Sequence, residues 1–409
     1  MNKQKVPKLR FPGFTGEWVE KRLGDVAEII GGGTPDTKKE EYWNGHINWF
    51  TPTEIKDKYI YHSLRKISDS GLKNSSAKLL PIGTILFTSR ATIGDAGFAM
   101  QECCTNQGFQ SFIVKEKYNK EFIYYWICNN KNEFISKANG STFLEISKNQ
   151  ITQIPLPLPT LPEQKRIADF LSDIDTKIEK LTRKKELTEQ YKKGAMQKIF
   201  SQKIRFKDEN GKKYPDWEEK RLGELGETYN GLTNKTKVDF GEGKPYIQYK
   251  QIFDDSKIDI LRFDFVKLNE GDIQNKAKYG DVFFTTSSET PDEVGISSVL
   301  LDNVDELYLN SFCFGFRAFS LKHLLPEFSR YLFRNENFRQ IIFKLSQGST
   351  RYNISKNQFM KLSINLPCPV EQKKIAEFLL NLDTIIQRIE KELAMLKEYK
   401  RGLLQGMFV

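Results

Sequence analysis

The stretch Pro162 to Phe200, PEQKRIADFLSDIDTKIEKLTRKKELTEQYKKGAMQKIF, lies near the middle of the chain and returns at its C-terminal end as Val370 to Phe408, VEQKKIAEFLLNLDTIIQRIEKELAMLKEYKRGLLQGMF. Glu163 and Glu371 are 208 residues apart, and so are Phe200 and Phe408. In the first copy Ile167, Leu171, Ile174, Ile178 and Leu181 recur at alternating spacings of four and three, the period of a coiled-coil seam. The second copy keeps the same period through Ile375, Leu379, Leu382, Ile386 and Ile389, and on to Leu393 and Leu396. At ~1.5 Å per residue a helix of roughly 38 residues runs ~57 Å, longer than a small domain is wide, so a neighbouring domain alone cannot cover the stripe. The sequence therefore predicts an intramolecular antiparallel pair, with a globular unit at each end of a rigid spacer and the C-terminus brought back near the N-terminus.

The segments ahead of the two helices repeat as well, and a repeat decides the fold class before any local reading. Trp18 with Lys21-Arg22-Leu23-Gly24 matches Trp217 with Lys220-Arg221-Leu222-Gly223. Ile47 to Ile55 aligns with Tyr246 to Ile252, and Gly83 to Arg90 with Gly280 to Ser287; β-branched and alternating residues bounded by Gly and Pro predict strands for both. Lys120 to Ile127 and Glu327 to Phe333 read as buried helices. Gly140-Ser141-Thr142 ahead of Ile146-Ser147-Lys148-Asn149-Gln150 returns as Gly348-Ser349-Thr350 ahead of Ile354-Ser355-Lys356-Asn357-Gln358. Each repeat closes on an extended proline segment, Ile154 to Pro159 or Ile364 to Pro369, which stops the long helix from starting early. The expected fold is α+β: two tandem repeats, each a β-rich recognition domain (1–160 and 202–368) followed by a long helix (161–201 and 369–409), the helices pairing as an antiparallel coiled coil.

Composition narrows the function. The net charge of +10 favours an anionic partner, nucleic acid first. No apolar run is long enough to cross a bilayer, and Met1 to Phe11 has no apolar core of a signal peptide, so a cytoplasmic location is expected. Five cysteines without a CxxC pair argue against a disulfide framework or a zinc ribbon, and His46, His62 and His323 have no metal-ligand spacing. Gly31-Gly32-Gly33-Thr34-Pro35 and Gly241-Glu242-Gly243-Lys244-Pro245 lack the spacing of nucleotide-binding loops and read as turns. Pro215-Asp216 with Glu218-Glu219-Lys220 sets its carboxylates too close together for a two-sided metal cage and also reads as a turn. No catalytic group emerges, and no metal site.

What recurs instead is polar loops of base-reading residue types. Thr88, Ser89 and Arg90, Asn106 and Gln107, and Ser141 and Thr142 return as Thr285, Thr286 and Ser287, Asn310, and Ser349, Thr350 and Arg351. Gln248 and Lys250 fall in the segment matching Ile47 to Ile55. Arg can take guanine's two major-groove acceptors, and Asn or Gln can pair with adenine's donor and acceptor. Lys148 and Lys356 suit phosphate oxygens, which fix register without reading sequence. At any single position, Thr, Ser and Asn also serve as caps and turns.

Taken together, W-x-x-x-x-L-G-[DE] from Trp18 to Asp25 and from Trp217 to Glu224, the Gly83 and Gly280 strands, G-S-T before I-S-K-N-Q, and E-Q-K-[RK]-I-A opening each long helix resemble the specificity (S) subunits of type I restriction-modification systems. The resemblance covers essentially the whole chain. It implies a DNA-binding subunit that is not itself an enzyme, with two target recognition domains each reading one half of a bipartite double-stranded site. By the same resemblance the helices are expected to set the spacer and dock two methyltransferase (M) subunits, with restriction (R) subunits joining them. This chain is expected to bind no cofactor, with S-adenosylmethionine, ATP and Mg2+ held by the partner subunits. Asn310-Ser311-Phe312-Cys313 departs from Asn106-Gln107-Gly108-Phe109, so the recognition loops are expected to differ between the repeats. A self-contained restriction or modification enzyme, or a coiled-coil scaffold joining two protein-binding domains, are the alternatives.

Overall fold

The computed structural model describes residues 6–140, 144–290, 293–346 and 351–409. It divides into two compact units, Met1–Thr182 with Lys391–Val409, and Arg183–Glu390. Both long helices are continuous, Leu161–Phe200 and Pro369–Met407, and each contributes to both units.

In the first unit a five-stranded sheet runs Ala27–Gly31, Gln110–Val114, Ile85–Phe87, Ala96–Ala99, Tyr59–Ile60, beside a three-stranded sheet of Arg65–Ile67, Trp43–Phe50 and Cys103–Thr105. The central strand shows why its sequence is apolar throughout. Successive side chains face opposite ways, so Ile85 and Phe87 enter the core built on the helices while Leu86 enters a second core with Phe50, Leu80 and Phe109. The second unit repeats the device: Val282 and Phe284 enter the helix-side core and Phe283 the other. The segments ahead of the long helices form Pro155–Leu158 and Ser363–Leu366, paired antiparallel with Val19–Arg22 and Glu218–Arg221 in isolated ribbons; in the first, the N–H groups that Pro155 and Pro157 lack disrupt no further ladder, and in the second the prolines fall after the strand.

The helices pair antiparallel in both units. In the first unit Lys177 lies 3.1 Å from Glu392, and Asp175 lies 2.5 Å from Lys400. In the second Lys185 lies 2.8 Å from Glu390, and Lys192 contacts Asp383. The stripes do more than meet each other. Ile167, Leu171 and Ile174 belong to the first unit's core, which also takes Leu403, Met407 and Phe408 from the far end of the sister helix. Ile375, Leu379 and Leu382 do the same in the second unit, with Ile199 and Phe200. Ile178, Leu181 and Ile386 are half-buried and Ile389 is buried. Each helix therefore begins on the repeat it follows and ends on the other one. Phe408 packs against Trp18 and Phe122, with ring centroids 6.4 and 5.1 Å away, and Phe200 packs against Trp217 and Phe328 at 6.3 and 5.7 Å. In the first unit the N- and C-terminal segments do come together, with the Leu9 N–H donating to the Gly406 carbonyl at 2.8 Å.

Three local expectations are corrected. The strand expected to run to Ile55 stops at Phe50, because Pro52 opens a 3-10 turn over Pro52–Glu54 and the Glu54 carboxylate accepts the Thr51 N–H at 2.7 Å. Its counterpart stops at Ile247 and becomes the helix Tyr249–Asp254. The Gly241 to Pro245 turn is instead a bulge inside Phe240–Ile247, where Phe240 and Lys244 both stand opposite Val266 and Gly241 and Gly243 adopt φ of 118° and 109°. Among the described residues no helix is long and apolar enough to cross a membrane, and no group of three metal-ligand side chains forms.

Candidate nucleic-acid interface

Three segments meet at one edge of each unit through the same backbone bonds. In the first unit Ser89 N–H donates to the Gly108 carbonyl at 2.7 Å, and Ile146 N–H donates to the Ser89 carbonyl at 3.1 Å. In the second, Thr286 N–H donates to the Phe312 carbonyl at 2.9 Å and Ile354 N–H to the Thr286 carbonyl at 3.1 Å. The turns Asn106 to Gly108 and Asn310 to Phe312 are built alike despite their different sequences. In each the Asn side-chain oxygen accepts the N–H two residues on at 2.8 Å. A glycine presses on each turn from behind: a Cβ at Gly32 would stand 1.9 Å from the Asn106 carbonyl oxygen, and one at Gly231 2.0 Å from that of Asn310. Close backbone approach, rather than a turn, explains glycine at these two positions.

This frame sorts the expected DNA-contacting residues. Thr88, Ser89 and Thr285 are fully buried. The Thr88 hydroxyl donates to the Thr92 carbonyl at 2.6 Å and accepts the Asp95 N–H at 3.1 Å, closing the loop; Thr285 does likewise with Glu293 and Ile296 at 3.2 and 3.1 Å. The expectation that these three touch bases is thus corrected: Thr88 and Thr285 close their loops through their hydroxyls, and Ser89 joins its neighbours through its backbone. Arg90, Gln107, Lys148, Lys250 and Arg351 are exposed, while Asn106, Gln248, Thr286, Ser287, Asn310 and Lys356 are half-buried. Some of these are already engaged: Gln248 bonds to Asp264, Lys250 lies 2.8 Å from Asp254, and Lys356 bonds to the Asn230 side chain. Ser141, Thr142, Ser349 and Thr350 lie outside the described residues.

Several residues that sequence reasoning passed over help to shape the edge. Glu145 is one: its Oε2 lies 2.7 Å from Nη2 of the expected Arg90. Phe312, 61% exposed, and Tyr249, whose hydroxyl donates to the Ser287 carbonyl at 3.0 Å, flank the second unit's loops. Glu145 carried no signal because its counterpart is Asn353, a different residue type.

The repeated motif at the start of each long helix proves to be a clamp. Glu163, 1% exposed, takes the Arg10 fork at 2.7 and 2.8 Å and the Trp18 indole N–H at 3.4 Å. Glu371, fully buried, takes Arg205 at 3.2 and 2.7 Å and Trp217 at 3.1 Å. These bonds hold both guanidinium groups above the usual arginine range. The next residue, Gln164 or Gln372, donates to the Pro159 or Pro367 carbonyl at 2.9 Å and accepts the N–H of Asn119 or Leu325 at 3.0 Å. The Trp partners were visible in the repeat; the Arg partners and their convergence on one carboxylate were not.

A duplicated frame with divergent exposed side chains, joined to paired helices, defines a two-module recognition protein. The family model described as "Type I restriction modification DNA specificity domain" matches twice, over residues 15–189 and 214–398, and the chain belongs to that family. The Type I restriction enzyme MjaIX specificity subunit of Methanocaldococcus jannaschii is 34% identical over 60% of this chain and 57% of its own length, so that alignment spans little more than half of that relative. The MjaVIII specificity subunit of the same organism is 25% identical over 95% of this chain and 91% of its own. In fold the chain is similar to the S subunit of a type I restriction-modification system from M. genitalium, with a TM-score of 0.58, 15% identity and 99% of each chain covered.

Proposed function

We propose that this chain is the non-catalytic specificity subunit of a type I restriction-modification assembly, each unit reading one half of a bipartite site on double-stranded DNA. The observation that supports this most directly is the loop frame, identical in its bonds and different in the side chains it presents. Such a construction keeps one docking geometry while changing the bases read, and a protein repeat mirrored in paired half-sites is a general solution for duplex readers. The net charge of +10 suits the phosphate backbone. The paired helices dock two M subunits and fix the unread gap, and R subunits join through the assembly. S-adenosylmethionine, ATP and Mg2+ act in those partners, and this chain binds none of them.

The test is single-molecule methylation mapping of DNA from cells carrying an M subunit with and without this chain. Adenine methylation at a two-part motif with a constant gap, present only with the chain, is the expected result. Methylation that ignores sequence despite stable assembly, or Mg2+-dependent nicking by the chain alone, overturns the reading.

A further inference from the structure

The two units share a frame but differ sharply at one matched place. In the first unit Arg90 and Glu145 face each other in an isolated antiparallel bridge; in the second the corresponding pair is Ser287 and Asn353. Arg90 follows Ser89 and Glu145 precedes Ile146, the two residues joined by the frame bond, just as Ser287 and Asn353 flank Thr286 and Ile354. The two places therefore correspond by bonding as well as by sequence.

Arg90 is held from both sides. Its carbonyl accepts the Thr92 N–H at 2.7 Å across Ala91, which adopts a φ of 60°. Glu145 is fixed in turn, exchanging two backbone bonds of 2.9 Å with Asn139. One guanidinium nitrogen lies 2.7 Å from the Glu145 carboxylate, a single contact that uses only part of the five-donor guanidinium. The Arg90 side chain remains 44% exposed. The result is a planar fork with one edge tied down and donors left over.

Charge decides what the fork reads. A guanidinium neutralised by a neighbouring carboxylate has little net attraction for phosphate, whose binding is driven by charge and counterion release. What it retains is geometry: paired donors matching guanine O6 and N7, in a plane set before DNA arrives. We infer that Arg90, oriented by the positioning residue Glu145, reads a guanine in the first unit's half-site, and that Ser287 and Asn353 remove this requirement from the second. The inference rests on the proposed function and names the base that one of its loops reads.

The experiment uses the chain assembled with M subunits, first mapped by methylation and then titrated against site DNA carrying each base at the assigned position. The half belonging to the first unit is identified by exchanging residues 1–160 for those of another specificity subunit. The wild-type assembly is expected to prefer guanine there by roughly tenfold to a hundredfold, the span of one bidentate base contact. Arg90→Ala should bind all four bases alike at that position, with the other half-site read as before and the salt dependence of binding unchanged. Glu145→Gln should keep the preference for guanine but reduce it. Because discrimination is a ratio of affinities, it can be measured even for a variant that binds more weakly overall. A first half-site without guanine, or an Arg90→Ala assembly that keeps its discrimination, overturns the inference while leaving the specificity reading intact. A wild-type assembly that yields no bipartite motif removes the reading beneath it.

Discussion

Asp175, on the first long helix, lies 2.5 Å from Lys400 on the second and accepts the Tyr125 hydroxyl at 2.6 Å. Asp383 holds Lys192 and accepts the Tyr331 hydroxyl at 2.7 Å, so the same lock is built twice with the helices' roles exchanged. Each lock ties the helix pair to the buried helix of a recognition domain, and a seam of Ile and Leu alone would leave that register less defined.

Asp175→Ala should destabilise the first unit by on the order of 3 kcal/mol, as expected when a largely buried ion pair loses one partner. Lys58, 3.6 Å from Asp175 and surrounded by Tyr59, Tyr124 and Tyr125, has its pKa pulled below the usual 10.5 by burial. Without Asp175 it loses the larger of its two compensating charges, the other being Glu121. An unfolded chain binds the Lys58 proton more tightly than the folded one, so the variant should regain stability as pH rises through the lowered folded value towards 10.5. Hydrogen exchange in Leu161–Phe200 across pH 7 to about 10 checks both size and direction.

Phe408→Ala and Phe200→Ala should each cost about 3–5 kcal/mol, the range for emptying an aromatic core position. The first should loosen the unit built around Trp18 and the second the unit built around Trp217, although each phenylalanine follows the opposite repeat in sequence. Tryptophan fluorescence cannot separate them, but exchange protection read segment by segment can. Equal loosening of both units by either variant would contradict the assignment.

Glu306 is held down to about 2 by hydrogen bonds from Lys244, Tyr308 and Lys276. Its folded value lies below the ordinary 4.5, so the stability it contributes is present above 4.5 and is lost as pH falls towards 2. Glu306→Gln should therefore flatten the acid limb of unfolding over that window and leave stability less pH-dependent there. An unaltered acid limb in the variant would mean that the three partners do not hold the carboxylate in solution.

Gly231→Ala places a methyl group where only 2.0 Å separates it from the Asn310 carbonyl oxygen, so the turn must move. A cost of about 1–3 kcal/mol is expected, typical of overpacking. The functional effect should be confined to one half of the recognised site, with Gly32→Ala affecting the other. Methylation mapping of both variants distinguishes a local displacement from general misfolding.

Lys148 is exposed at the start of the helix Lys148–Thr152, which Ser147 caps. Lys148→Ala should weaken binding equally for all sequences and lower the slope of log affinity against log salt by about 1, the mark of one lost phosphate contact. A change in base preference instead would place this lysine among the readers.

The duplicated helix, its seam and the repeated strand segments could be read from the chain because each is a pattern along the sequence: a period of four and three, a constant offset, an alternation of faces. The base-reading set was only partly legible. Residue type marked Thr88 and Arg90 alike, yet burial turns one inward to close a loop and leaves the other at the surface. Similarly, Trp18 and Glu163 were both conspicuous repeat residues, but nothing along the chain said that one carboxylate would receive the Trp18 indole and the Arg10 guanidinium together. The sequence by itself determined the two long helices, the duplication and the family. Tertiary structure alone decided which hydroxyls face inward, which helix end enters which core, and that Glu145 stands beside Arg90. Those outcomes depend on contacts between residues far apart in sequence, and such contacts exist only once packing has brought the segments together.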